Sequence, residues 1–177
     1  MAKIGLFFDT DTGNTRKVAK MINKLFDEGD IDLKNVTKLD VADFDNYSAF
    51  IIGTPTLGEG ELPDNWNEFM PQLETVDFTG KTVALFGLGD QEEYGHEFVD
   101  GLGILYEKLE SLGASFVGFW PTEGYEYEYS AAEYNGEFIG LVLDQDNQSD
   151  LTKERVETWV AQIKPQLLEI AAGAEAA

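Results

Sequence analysis

The stretch Ile4-Gly5-Leu6-Phe7-Phe8-Asp9-Thr10-Asp11-Thr12-Gly13-Asn14-Thr15 decides the fold. Ile4–Phe8 is a short apolar run of the kind buried on both faces of a parallel sheet. Beyond the loop, Val18, Ile22, Leu25 and Phe26 recur at helical spacing, so a helix begins near Asn14 or Thr15. A strand thus passes into a helix through hydroxyls, Asp11 and a glycine. A helix start offers unpaired N–H groups and a partial positive charge, and a phosphate can dock there. Thr10, Thr12 and Thr15 can each donate a hydrogen bond, and Gly13 lets the backbone turn tightly around the anion. The plainer reading, that Thr and Asn only cap a helix, suits one threonine better than three.

Two other phosphate loops fail on spacing. The triphosphate loop needs a glycine five positions before Gly13 and a lysine after it, whereas Phe8 and Asn14 stand there. No G-x-G-x-x-G follows the first strand, which excludes the dinucleotide fingerprint. A monophosphate, held without a cation in the loop, is the expected ligand.

Composition narrows the class. The 177 residues are 43% hydrophobic and 12% aromatic, enough for one domain with a sizeable core. No apolar run is long enough for a membrane span. The start Met-Ala-Lys-Ile lacks a secretory signal, and with no cysteine there is neither a disulfide framework nor a thiolate metal site. A cytoplasmic chain without a metal centre is expected. Acids outnumber bases 34 to 12, for a net charge of −22. Residues 39–80 hold nine acids and no base, 82–107 six and none, 109–152 nine and none. Nucleic acid is excluded as a partner for want of a basic patch. A basic protein surface fits such charge, although acidity also serves solubility.

Apolar runs alternate with amphipathic stretches. Strands are expected at Ile4–Phe8, Asn35–Leu39, Ala49–Gly53, Lys81–Gly87 and Ser115–Phe119. Helices are expected at Asn14–Asp27, Trp66–Leu73, Phe98–Leu112 and Thr152–Ile170. This alternation predicts a parallel sheet covered by helices. Residues 120–140 interrupt it, aromatic and acidic, and Phe138–Leu143 then reads as the fifth strand resuming. The tail after Ile170 is expected to fray.

In such sheets ligands bind at the carboxyl ends of the strands. The loops to read are therefore the threonine loop, the one after the third strand (Thr54-Pro55-Thr56-Leu57-Gly58-Glu59-Gly60-Glu61) and the one after the fourth (Gly87-Leu88-Gly89-Asp90-Gln91-Glu92-Glu93-Tyr94). Gly58 can turn either side of its peptide toward a ligand. Tyr94 can stack on a flat ring. Together they describe a site for a flat heterocycle on a monophosphate tail.

These residues resemble the flavodoxins of the long-chain class. The resemblance is carried by Thr-x-Thr-Gly-Asn-Thr at 10–15, Gly-Thr-Pro-Thr at 53–56, Gly-x-Gly-Asp-Gln at 87–91 with Tyr94, and Leu-Asp-Gln-Asp-Asn-Gln-Ser at 143–149. It implies a three-layer α/β fold with a five-stranded parallel sheet of order 2-1-3-4-5, helices on both faces and strand 5 interrupted by an insertion; the order is the one known for flavodoxin itself. It implies a single FMN-binding domain over 1–170, a monomer that shuttles single electrons between the semiquinone and hydroquinone of noncovalent FMN. Partners would present basic surfaces, as in ferredoxin-NADP reductase, photosystem or nitrogenase-type systems. By position, Thr10–Thr15 would hold the phosphate, with Thr56, next to Pro55, and Asp146 near the ribityl chain. Leu57 and Tyr94 would cover the ring faces. The Gly58–Glu59 peptide, before Gly60, would face flavin N5. Gly89 and Asp90, after Gly87 and Leu88, would meet the pyrimidine end.

Two departures stand out. Leu57 replaces a common Trp. Asp9 replaces a common Gly, and a carboxylate beside a phosphate is unfavourable unless it points away, so Asp9→Gly is expected to tighten FMN binding. The acidic composition has its own consequence, because fully reduced FMN is anionic. One carboxylate at ~10 Å costs roughly 1–2 kcal/mol at an effective dielectric of ~20, and about 1.4 kcal/mol corresponds to ~59 mV for one electron. Several charges, discounted for screening, would depress the second potential. No catalytic residue is needed, and His96 reads as a surface residue.

An FMN-dependent NAD(P)H:quinone reductase on the same fold is the main alternative, but Tyr94 and Leu57 covering the ring leave its substrates no room. A response-regulator receiver could use Asp9 and Asp11 for a cation, but it needs an aspartate where Gly53-Thr54 stands.

Overall fold

The computed structural model describes residues 3–9, 13–57 and 59–176. Strand β1 (Ile4–Phe8) is buried along its whole length. It lies between β2 (Ile31–Asn35) and β3 (Ala49–Pro55), and β4 (Thr82–Leu88) and β5 (Ser115–Val117) complete the parallel order β2-β1-β3-β4-β5. The chain moves one way from β1 to β2 and the other way from β3 onward. Right-handed crossovers then place α1 (Asn14–Lys24) on one face and α2 (Asp64–Leu73) and α3 (Asp100–Ser111) on the other. The last helix, α4 (Thr152–Ala176), packs beside α1.

The fifth strand is split. β5 pairs with Thr82–Ala84 of β4, and β9 (Leu141–Leu143) pairs with Phe86–Leu88 of the same strand, both parallel. Between them the insertion forms its own antiparallel sheet from β6 (Trp120–Pro121), β7 (Glu133–Tyr134) and β8 (Glu137–Phe138), in the order β6-β8-β7. The resumption expected at 138–143 is therefore observed, and its first residue, Phe138, belongs to the small sheet.

One expected strand was misplaced. The second strand is Ile31–Asn35, not Asn35–Leu39. At the sheet edge only Ile31 and Leu33 need be apolar, and they alternate with Asp32 and Lys34. Asn35 then accepts a hydrogen bond from the Thr37 N–H at 3.0 Å and turns the chain into a short 3₁₀ segment at Val36–Lys38. The β-branched Val36 and Thr37 carried strand propensity into that turn. At the other end, α4 continues past Ile170 through Ala176, in keeping with the high helix propensity of its alanines.

The apolar stripe of α4 is core: Val156, Trp159, Val160, Ile163 and Leu167 are all buried. The Trp159 indole N–H donates to the Gly118 carbonyl at 2.8 Å, which anchors the start of the insertion to this helix.

Candidate site at the carboxyl edge of the sheet

The start of α1 and the loops leaving β3, β4 and β9 meet around a cavity of about 470 Å³, within the range of roughly 300–1,000 Å³ usual for small-molecule sites. Asn14 and Thr15 enter it from the start of α1; Pro55, Thr56 and Leu57 from the β3 loop; Leu88, Gly89, Asp90 and Tyr94 from the β4 loop; Asp146 from the β9 loop. All ten are expected site residues. Thr10, Asp11, Thr12 and Gly58 lie outside the described residues.

At the α1 end, Gly13 is the N-cap with φ +93°, a conformation that glycine adopts without strain. It brings no side chain, and no acid stands in the first helical turn. The positive end of the helix therefore faces the cavity.

At the β3 end the chain makes a tight hairpin. Leu57 and Glu61 exchange two backbone hydrogen bonds at 2.8 and 2.7 Å. The tip carries Glu59, exposed, and Gly60, with φ +82°; neither lines the cavity. Thr56 Oγ1 accepts the Gly101 N–H at 2.9 Å, and an accepting hydroxyl still has its own proton to donate.

The β4 and β9 loops are tied together by carboxylates. Asp144 is fully buried. Its Oδ2 accepts from the Gln91 backbone N–H (3.0 Å), Gln91 Nε2 (2.7 Å) and Asn147 Nδ2 (2.9 Å). Its Oδ1 accepts from the N–H groups of Asp146 (3.2 Å) and Asn147 (3.0 Å). Asp90 folds onto its own loop, with Oδ1 accepting from the N–H groups of Glu92 and Glu93 and from Asn147 Nδ2 at 2.8 Å. Gln91 Oε1 in turn accepts the Glu126 N–H at 2.7 Å, joining the insertion to the site. Gly87 does not line the cavity; a Cβ there would stand 3.0 Å from Leu102, so it lets α3 pack close to β4.

Four lining residues escaped the sequence reading: Glu93, Glu97, Val99 and Gln145. Glu93 and Gln145 adjoin Tyr94 and Asp146 in sequence, and that adjacency was the available signal. Val99 had none. It is fully buried yet left-handed, with φ +50°, an outlier for a β-branched residue. With Asp90 and Asp146, the two glutamates make four lining carboxylates, and among the described residues no lysine or arginine lines the cavity. Arg16 and Lys17 on α1 are exposed outside it. Burial, then the charges of Asp90 and Asp144, push the Asp146 carboxyl above the ordinary range. His96 is an exposed residue paired with Glu128 at 2.9 Å.

Asp9 has partners that the sequence did not reveal. Its side chain is fully buried and reaches the start of α2. Oδ1 accepts from Asn65 Nδ2 at 3.1 Å, and Oδ2 from the Trp66 N–H at 3.3 Å. The carboxylate thus caps the start of α2, whose own N-cap is Pro63, without a capping side chain. These hydrogen bonds offset the charge that the sequence analysis set against a bound phosphate.

Similarity to known proteins is consistent with this geometry. The family model described as flavodoxin matches residues 6–159. A flavodoxin of Synechocystis sp. is 51% identical over 94% of this chain and 99% of its own. One of Klebsiella pneumoniae is 47% identical over 95% of this chain and 100% of its own. The crystal structure of a Fusobacterium nucleatum flavodoxin bound to flavin mononucleotide superposes with a TM-score of 0.88, at 37% identity, over 94% of this chain and 99% of that one.

Proposed function

Because the chain belongs to the flavodoxin family, we propose that its cavity holds FMN noncovalently and that the protein carries electrons singly at low potential, as an electron-transfer protein rather than an enzyme. The observation that carries this reading is a cavity at the carboxyl edge lined by four carboxylates and, among the described residues, by no cation. The residues present suit the group. Leu57, Leu88, Val99 and Tyr94 give apolar walls for a flat ring, and Tyr94, 44% exposed, has a face available. Asn14 and Thr15 stand at the positive end of α1, where a phosphate is favoured.

Bound FMN supplies a ring that accepts electrons one at a time and becomes anionic when full. The chain sets the cost of that charge. Asp90, Glu93, Glu97 and Asp146 oppose it, and each carboxylate at ~10 Å contributes roughly 1–2 kcal/mol before screening. Threonine and asparagine at the loop anchor a phosphate without adding a compensating cation. The Asp144–Gln91 network fixes the loop just after Asp90, and the Gly89 N–H is tied to the Leu143 carbonyl at 3.0 Å, so the Asp90 backbone is held in place beside the ring's polar edge. Thr10–Thr15 cradle the phosphate, Thr56 and Asp146 flank the sugar chain, and Gly58–Glu59 faces N5 in this reading.

The same rim serves docking. Its carboxylates select partners with basic surfaces, such as reductases of the ferredoxin-NADP type or photosystem and nitrogenase-type complexes, met in the cytoplasm by a monomer. Redox titration of the FMN-loaded protein at low and high ionic strength tests the assignment. The lower potential rises as salt screens the carboxylates. Failure to bind FMN, or a lower potential indifferent to salt, would sink it.

A further inference from the structure

The first turn of α3 touches two segments that lie far apart in the sequence. Asp100 Oδ1 accepts the Ala131 N–H of the insertion at 2.7 Å. Its Oδ2 lies flush on Gly60 of the hairpin, 2.8 Å from where a Cβ would stand. The next residue, Gly101, donates its N–H to Thr56 Oγ1 at 2.9 Å. Consecutive residues of one helix therefore meet the 57–61 hairpin at both ends, Gly101 by a hydrogen bond to Thr56 and Asp100 by packing against Gly60. The insertion is seated on the same helix a second time, since a Cβ on Gly103 would stand 2.5 Å from the Ala131 carbonyl oxygen.

The left-handed backbone of Val99 sets up this arrangement. It turns the chain immediately before Asp100, and such strain persists only where the surroundings over-determine it. A carboxylate at this spot is also poorly placed, partly buried beside Glu97 in a chain already strongly negative. The Ala131 N–H supplies the compensation at one oxygen, and the other oxygen lies packed against the hairpin.

We propose that Asp100 is a positioning residue that latches the 57–61 hairpin to the insertion, so that the placement of residues 118–140 is transmitted to the hairpin at the cofactor cavity. The inference rests on the FMN reading for its consequence, but the latch itself does not. Whatever displaces the insertion, including a docked partner, then alters the hairpin that covers one side of the ring.

Amide hydrogen exchange on the FMN-free protein tests the latch directly. In Asp100→Ala, exchange at Ala131 accelerates at least about tenfold, as expected for losing a hydrogen bond to a charged group, exchange at Leu57 and Glu61 rises with the lost packing at Gly60, and amides of β1 and β3 keep their protection. Asp100→Asn, which retains an accepting oxygen, stays close to the parent. Gly60→Ala approaches from the other side: its Cβ collides with Oδ2, and exchange at Ala131 rises although Ala131 is untouched. In the FMN-loaded protein, Asp100→Ala shifts the first midpoint potential and Asp100→Asn restores it. Unchanged exchange in Asp100→Ala, an Asn variant as fast as Ala, or an unmoved Ala131 in Gly60→Ala overturns the proposal. Failure of the parent to bind FMN overturns the functional reading alone, because the exchange data decide the latch without cofactor.

Discussion

Asp9 occupies the first position of the loop after β1, and its carboxylate caps a helix that begins dozens of residues later. Its partners, Asn65 and the backbone of Trp66, stand behind a proline that cannot cap for itself. Asp9→Ala is expected to cost about 1–3 kcal/mol of stability, from a buried donor pair left unsatisfied at a helix start. Urea unfolding of the FMN-free protein measures it, and a parallel FMN titration is expected to show no gain in affinity. The start of α1 at Asn14 was legible in sequence because helical periodicity and a glycine before it are local signals. The fate of Asp9 was not, since its partners come from another element. An uncapped Pro63 was the one hint that a carboxylate must arrive from elsewhere.

At the scale of elements, β4 organises the site. Its first half pairs with β5, its second half with β9, and the loop it releases is bolted to the loop after β9 through Asp144. Gly140, just before β9, permits this closeness: a Cβ there would stand 2.3 Å from the Leu85 carbonyl oxygen. Because that neighbour is backbone, Gly140→Ala forces β9 away from β4 and is expected to cost about 1–3 kcal/mol, as overpacking does. It is also expected to weaken FMN binding by displacing Asp144 and Asp146; fluorescence titration with FMN and thermal unfolding check the two effects. Buried central strands were readable as apolar runs, as Ile4–Phe8 and Ala49–Pro55 show. β2 was not, because an edge strand needs only Ile31 and Leu33 inward, and that pattern is too short to outweigh the β-branched residues beside it. Val99 lay beyond reach for a different reason: its left-handed turn follows from tertiary contacts of Phe98, Asp100 and Gly101, not from its own propensity.

At the scale of the whole molecule, charge is sorted. Arg16, Lys17, Lys20 and Lys24 are exposed on α1, whereas the cavity wall is acidic. A molecule so polarised turns its acidic edge toward a basic partner during encounter. The same excess sets the response to pH. Burial, with Glu97 adding to it against the Ala131 hydrogen bond, holds the Asp100 carboxyl above its ordinary range, and Asp146 is raised by burial and by Asp90 and Asp144. For both, the folded state takes up a proton more readily than the unfolded chain, so stability grows as pH falls from neutral toward the ordinary aspartate range. Asp77 works the other way: its hydrogen bonds with Thr79 lower its pKa, and its contribution is lost only at lower pH. The melting temperature of the FMN-free protein is therefore expected to rise between pH 7 and about pH 5, and added salt at pH 7 to reproduce part of the gain. A flat or falling profile over that interval would contradict it.

The split fifth strand has a further consequence. The chain leaves the sheet after Val117 opposite Ala84 and returns at Leu141 opposite Phe86, so only Leu85 separates the two ends of the excursion along β4. Strand pairing with β4 fixes only the two ends of that excursion. That makes this point a natural port for evolution and for engineering: a sequence grafted there inherits a place beside the redox site without disturbing the register of a single strand.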